Sequence, residues 1–231
     1  MAEDSEALRQ EITEISGILE PLAPFEASDT LEELAHKTGR ALGIATWEAY
    51  RQRYNATHDD LTGLLNTRGL KQAVQSLEHS GHGQPMVVFA LDLDSFKVVN
   101  DKRGHAAGDE VLRIVSDVLR RVMHREDEAI ARLGGDEFCV VAPLSQREEP
   151  HKGRLSHTEV AARMRKHLME EFGQALGEQE DLKSFELGVS IGWEIYWPGG
   201  QQTFEEALNA ADAKLGEIKD ALYKGQERRR S

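Results

Sequence analysis

The chain has 231 residues, 39% hydrophobic and 30% charged, enough for one globular domain plus an appendage. A net charge of −13 excludes a large nucleic-acid footprint, which needs a basic face, but leaves room for a polyanionic small ligand neutralised locally by metal ions. Met86 to Leu91, the longest apolar run, is too short to span a bilayer. The acidic stretch Met1 to Glu6 has no signal-peptide core, and the lone Cys139 excludes an internal disulfide, so a soluble cytoplasmic protein with no membrane partner is expected.

In chain order, Leu8, Ile12, Ile15 and Leu19 recur at helical spacing until Pro21 and Pro24 break the run. Ser28 or Asp29 then caps a second helix carrying Leu31, Leu34, Thr38, Ala41 and Leu42 and reaching toward Tyr54. Two short amphipathic helices cannot bury their stripes alone. Residues 1–58 are therefore expected either to cap their own domain or to bring two subunits together.

From residue 59 onward helices and strands alternate. Asn66 caps a helix through Leu70, Val74 and Leu77, the stretch Gly81 to Pro85 turns the chain, and Met86 to Asp92 is a continuous apolar strand, hence a central one. Gly108 to Val122 has one apolar helical face. Ala129 to Leu133 and Phe138 to Val141 form a hairpin about Gly134 and Gly135, with Cys139 buried in it. A polar loop from Ser145 to Thr158, a helix from Glu159 to Phe172, a strand from Phe185 to Tyr196 and a closing helix from Thr203 to Lys224 complete the pattern. The order predicts an α+β sheet with helices on one face, close to the split βαβ plan.

Two acidic sites carry the chemistry. Strand alternation brings Asp92 and Asp94 out on the same side at the end of the apolar strand, where an unsolvated carboxylate is expensive without a cation. If the hairpin strands flank this strand, Asp136 comes near Asp92, and a two-metal site for phosphoryl or nucleotidyl transfer becomes possible. Gly134 and Gly135 would let phosphate oxygens approach the backbone, and Lys97 supplies positive charge. A carboxylate such as Asp109 accepts from guanine's adjacent N1–H and N2–H donors, and the amide of Asn100 serves its other groups. The plainer reading of Asp109 is a favourable acid in the first turn of its helix.

Asp60-Leu-Thr-Gly63-Leu-Leu-Asn66, the string from Asp92 to Asp109 and Gly134-Gly-Asp-Glu-Phe138 resemble the three signatures of GGDEF-domain diguanylate cyclases, across Asp59 to Lys224. The resemblance implies a domain over residues 59–231 with a palm-like (nucleotidyl cyclase/ferredoxin-like), largely antiparallel central sheet and flanking helices, preceded by the N-terminal helical segment. It also implies condensation of two GTP into cyclic di-GMP and two pyrophosphates, the 3′-hydroxyl of each nucleotide attacking the α-phosphate of the other across a homodimer. Carried over by position, Asp92, the Leu93 carbonyl and Asp136 hold two Mg²⁺ ions, with Mn²⁺ as a substitute. Asp136 or Glu137 deprotonates the attacking hydroxyl, Lys97 stabilises the charged transition state, Asn100 and Asp109 read guanine, His105 lies in the matching Gly-His segment, and Lys219 meets phosphate.

The departures from the family pattern are specific. The product-inhibition pattern Arg-x-x-Asp reads Arg125-Glu-Asp-Glu128 here, which predicts weak or absent inhibition by product. In the closing helix Gly216 stands where Tyr is usual and Tyr223 where Arg is usual, leaving Lys224 as a substitute phosphate contact, and Thr67 stands where Arg is usual. A catalytically silent module that binds GTP or cyclic di-GMP is the competing reading, and silent relatives usually lack the hairpin carboxylates kept here. A further alternative is an adenine-containing product, against which Asp109 argues.

Overall fold

The computed structural model describes residues 31–80, 83–144 and 156–230. The expected first helix, its proline break, the Ser28 or Asp29 cap and most of the Ser145–Thr158 loop lie outside these residues. The chain divides into two compact units, Met1–Ala56 and Thr57–Ser231. Within the first, helix α1 spans Leu31–Asn55 and exposes Leu42, Ile44 and Trp47.

The second unit runs α2 (Thr67–Ser80), β1 (Met86–Asp94), α3 (Phe96–Arg103), α4 (His105–Val122), β2 (Ala129–Gly134), β3 (Glu137–Pro143), α5 (His157–Gly177), a 3₁₀ turn (Glu180–Phe185), β4 (Gly188–Tyr196) and α6 (Phe204–Arg230). Asn66 opens α2 as expected, its side-chain oxygen accepting the Gly69 N–H at 2.9 Å. The strands pair antiparallel in the order β2-β3-β1-β4. This is the palm-like α+β sheet with flanking helices.

Three expectations need correction. Helices cover both faces of the sheet, not one. Val87, Phe89, Leu91 and Leu93 pack into a core with residues of α3, α4 and α5, while Met86, Val88 and Ala90 meet Leu70 and Val74 of α2 and Phe204, Ala207 and Ala211 of α6. An unbroken apolar strand requires this, because both sets of alternating side chains must leave water. The hairpin does not flank β1; only β3 adjoins it, and β4 takes the other side. Its turn is Gly135-Asp136, since Gly134 still pairs with Glu137 across a register shift between Arg132 and Gly134. Gly135 sits at φ +53°, a conformation open to glycine at little cost.

Cys139 is fully buried, and desolvation pushes its thiol up to about 12, so it packs as an inert apolar group. No described helix is long and apolar enough to cross a membrane.

Candidate active site

The β1–β3 register sets Asp92 opposite Glu137, the residue after Asp136, and the β1–β4 register sets it opposite Ser190. The three acidic groups thus meet at one end of the sheet. Burial raises the Asp92 carboxyl above its usual range; a hydrogen bond from Lys219 opposes this, and the nearby charges of Asp136 and Glu137 reinforce it. Lys219 reaches in from α6 and donates to Asp92 Oδ1; the two side chains are 22% and 16% exposed. Asp94 has a different partner, accepting the Ser190 hydroxyl at 2.8 Å. Ser190 is the residue opposite Asp92, so Asp94 emerges on the same side of the strand as Asp92.

Beyond Asp94 the chain turns sharply at Ser95, whose φ of +63° is left-handed and strained for a residue with a side chain. That turn starts α3, which carries an exposed Lys97 and a half-buried Asn100. Gly104, at φ +81°, separates α3 from α4, and α4 begins at an exposed His105. Asp109 consequently occupies the second turn of α4, not the first, so the helix-terminus explanation for it loses its basis. Asn100 packs against α4 at the neighbouring position, because a Cβ on Gly108 would lie 2.1 Å from Asn100 Oδ1. The close approach of Asn100 to α4 depends on that glycine, one residue before Asp109.

Two residues with no role assigned from sequence hold the hairpin tip. Arg132 donates to the Gly135 carbonyl through Nε and Nη2 at 2.9 and 2.7 Å, and through Nη1 to both Asp59 oxygens at 3.1 Å. Asp59 in turn accepts the Thr62 N–H and hydroxyl at 2.9 and 2.6 Å. Burial acts upward on Asp59, but these hydrogen bonds and the Arg132 charge outweigh it and hold the carboxyl below its usual range. Arg120 from α4 donates to the Thr62 carbonyl, tying the same turn to the helix that bears Asp109. Local patterns carry no signal for the Arg132–Asp59 contact, whose partners stand 73 residues apart. Arg132→Met is expected to cost about 1–3 kcal/mol, because the Gly135 carbonyl loses its guanidinium donor and Asp59 keeps only its Thr62 bonds. Urea denaturation and faster amide exchange at Gly135 and Asp136 would measure it.

Glu128 is engaged at its own turn, its carboxylate accepting the Arg125 N–H at 3.1 Å beside a concavity of about 400 Å³. On α6 the space around Gly216 is open, so no steric feature forces the missing tyrosine, and Lys224 is exposed. The side chain of Tyr223 lies outside the described residues.

Among the described residues no three His, Cys, Asp or Glu side chains converge tightly enough to hold a metal by themselves. Two carboxylates and a backbone carbonyl are nevertheless hard oxygen donors of the kind that Mg²⁺ uses when waters and substrate phosphates complete its shell. The mutual repulsion at Asp92, Asp136 and Glu137 is what a cation relieves. The donor set fits a divalent ion that arrives with a polyphosphate.

The family model described as "Diguanylate cyclase, GGDEF domain" matches residues 56–224. The chain belongs to the GGDEF domain family. Among relatives, it is 36% identical over 169 residues to the cyclic di-GMP phosphodiesterase NbdA of Pseudomonas aeruginosa, covering 72% of this chain and 20% of that protein. It is 40% identical over 99 residues to the diguanylate cyclase DgcP of the same organism, covering 42% of this chain and 15% of that one. The chain thus spans a fifth or less of both relatives. Among solved structures, the coiled coil and GGDEF domain of DgcB from Caulobacter crescentus in complex with c-di-GMP aligns with a TM-score of 0.64 at 25% identity, over 84% of this chain and 96% of that one. In this GGDEF domain the hairpin signature is the β2–β3 turn, and the Asp92–Asp109 string runs from the end of β1 through α3 into α4.

Proposed function

We propose that the chain is a diguanylate cyclase, condensing two GTP molecules into cyclic di-GMP with release of two pyrophosphates. The observation that carries this reading is the β1–β3 register, which sets Asp92 beside the intact Asp136 and Glu137 pair. Asp92, the Leu93 carbonyl and Asp136 would hold two Mg²⁺ ions, or Mn²⁺. Such ions, when bound, polarise the α-phosphate and favour ionisation of the attacking hydroxyl.

The remaining work falls to side chains. Asp136 or Glu137 accepts the 3′-hydroxyl proton as O3′ bonds to the α-phosphorus and the bond to pyrophosphate breaks; the same exchange on the second nucleotide closes the ring. Lys97 offsets charge on the phosphates, and Lys219 is a second cation available to them. Asn100 and Asp109 present an amide and a carboxylate to guanine, with His105 at the start of the same helix. Gly134 and Gly135 let phosphate approach the hairpin without meeting a side chain. One chain supplies one half-site, so a second copy must present the other GTP, and residues 1–58 are the segment proposed to bring the copies together. A cytoplasmic setting supplies the GTP.

Purified protein incubated with GTP and Mg²⁺ should yield cyclic di-GMP and pyrophosphate by chromatography. The phosphodiesterase name of one relative prompts a second reading, a module that binds nucleotide without turnover. Tight GTP binding with no product would favour that reading over catalysis. Product inhibition is expected to be weak, because Glu128 is one methylene longer than the usual Asp and already accepts the Arg125 N–H. Initial rates should stay within about twofold when low-micromolar cyclic di-GMP is added, because losing one charged contact of about 1.5–3 kcal/mol weakens a micromolar affinity roughly ten- to a hundredfold.

A further inference from the structure

The partner that the structure gives Asp92 is a lysine. Lys219 and Asp92 stand 127 residues apart, and both side chains are largely shielded from solvent. Asp92 also feels the charges of Asp136 and Glu137, and among the described residues Lys219 is the cation paired with it against that repulsion. We propose that Lys219 is an exchangeable counter-ion: it holds Asp92 while no nucleotide is bound and passes to the triphosphate when a nucleotide and its divalent cation arrive. This rests on the metal and nucleotide reading given above.

The surroundings suit an exchange of side chain alone. Leu215, one turn before Lys219 on the same helical face, is buried, and α6 there lies so close to β4 that Gly192 has no room for a Cβ. The helix is therefore fixed, and the flexible four-carbon stem of Lys219 is the part free to move. A divalent ion arriving alone must compete with the ammonium for the charge of Asp92, Asp136 and Glu137. An ion arriving with a triphosphate brings along an anion that accepts the ammonium. Metal and nucleotide therefore bind cooperatively, each raising the affinity of the other by the same factor. The device keeps the acidic site from filling with metal when GTP is absent.

The test is Mn²⁺ binding to the full chain, followed by electron paramagnetic resonance, with and without 3′-deoxy-GTP, which cannot attack. Without nucleotide, wild type should bind Mn²⁺ weakly, and Lys219→Met should bind it roughly five- to tenfold more tightly, as expected when a shielded competing ion pair is removed. The gain in Mn²⁺ affinity on adding 3′-deoxy-GTP should shrink in Lys219→Met by a similar factor. Lys219→Arg keeps the charge and should stay close to wild type, which separates the exchange from damage to the fold. Equal or weaker Mn²⁺ binding by nucleotide-free Lys219→Met, in a sample where 3′-deoxy-GTP still recruits Mn²⁺, overturns the exchange and leaves the cyclase reading standing. Wild type that takes up no Mn²⁺ even with 3′-deoxy-GTP overturns both.

Discussion

Asp136→Ala is expected to lower cyclic di-GMP formation by at least about a thousandfold, the loss that follows when several kcal/mol of charge stabilisation and a proton acceptor leave the reacting centre together. The residue belongs to the two-residue turn of the hairpin, outside both apolar clusters, so stability should change by less than about 0.5 kcal/mol. A second effect comes from the same charge. Asp136 is one of the groups raising the Asp92 carboxyl, so its removal should let Asp92 ionise at lower pH. Nuclear magnetic resonance titration of Asp92 beside single-turnover assays would check both. An Asp136→Ala protein that retains activity within about tenfold would remove the hairpin carboxylate from the mechanism.

Gly192→Ala is expected to destabilise the second unit by about 3 kcal/mol, at the upper end of overpacking costs. Its new Cβ would lie 2.1 Å from the Ala211 carbonyl oxygen and 2.5 Å from the Leu215 nitrogen. Both are backbone atoms of α6, and neither can turn aside as a flexible side chain would. Helix α6 must lift from β4, carrying Lys219 away from Asp92, so urea stability and nucleotide-dependent Mn²⁺ binding should fall together. Gly216→Ala supplies the contrast. A Cβ there meets nothing within 4 Å, and alanine favours a helix, so stability should rise by about 0.5–1 kcal/mol. Equal responses to the two substitutions would mean that β4 and α6 are not in backbone contact.

Much of this molecule is legible in its amino-acid sequence. The unbroken run from Met86 to Leu91 marks the central strand, and β1 is bounded by partners on both sides. Asn66 announces α2, and the glycine hairpin lies where expected, with its turn displaced by one residue. Helix α3 leaves no periodic trace, because Phe96–Arg103 is short and polar, with too few apolar positions to show a period. Helices on both faces are implied by the apolar strand, but the split βαβ plan points to one face only.

Local sequence settles which chemistry is available: carboxylates at a strand end and a hairpin tip, an amide and an acid on two successive helices, and a family signature across residues 56–224. These features depend on strand alternation, turn-forming glycines and helical spacing within a few residues of chain. Which charges meet is settled only by packing. Lys219 finds Asp92 because α6 packs back across β4, and Arg132 finds Asp59 because the turn before α2 lies against the hairpin. No local pattern encodes such pairs. Their partners are chosen by how the helices bury their apolar faces on the sheet, and only then do a lysine and an arginine meet the shielded carboxylates they pair with.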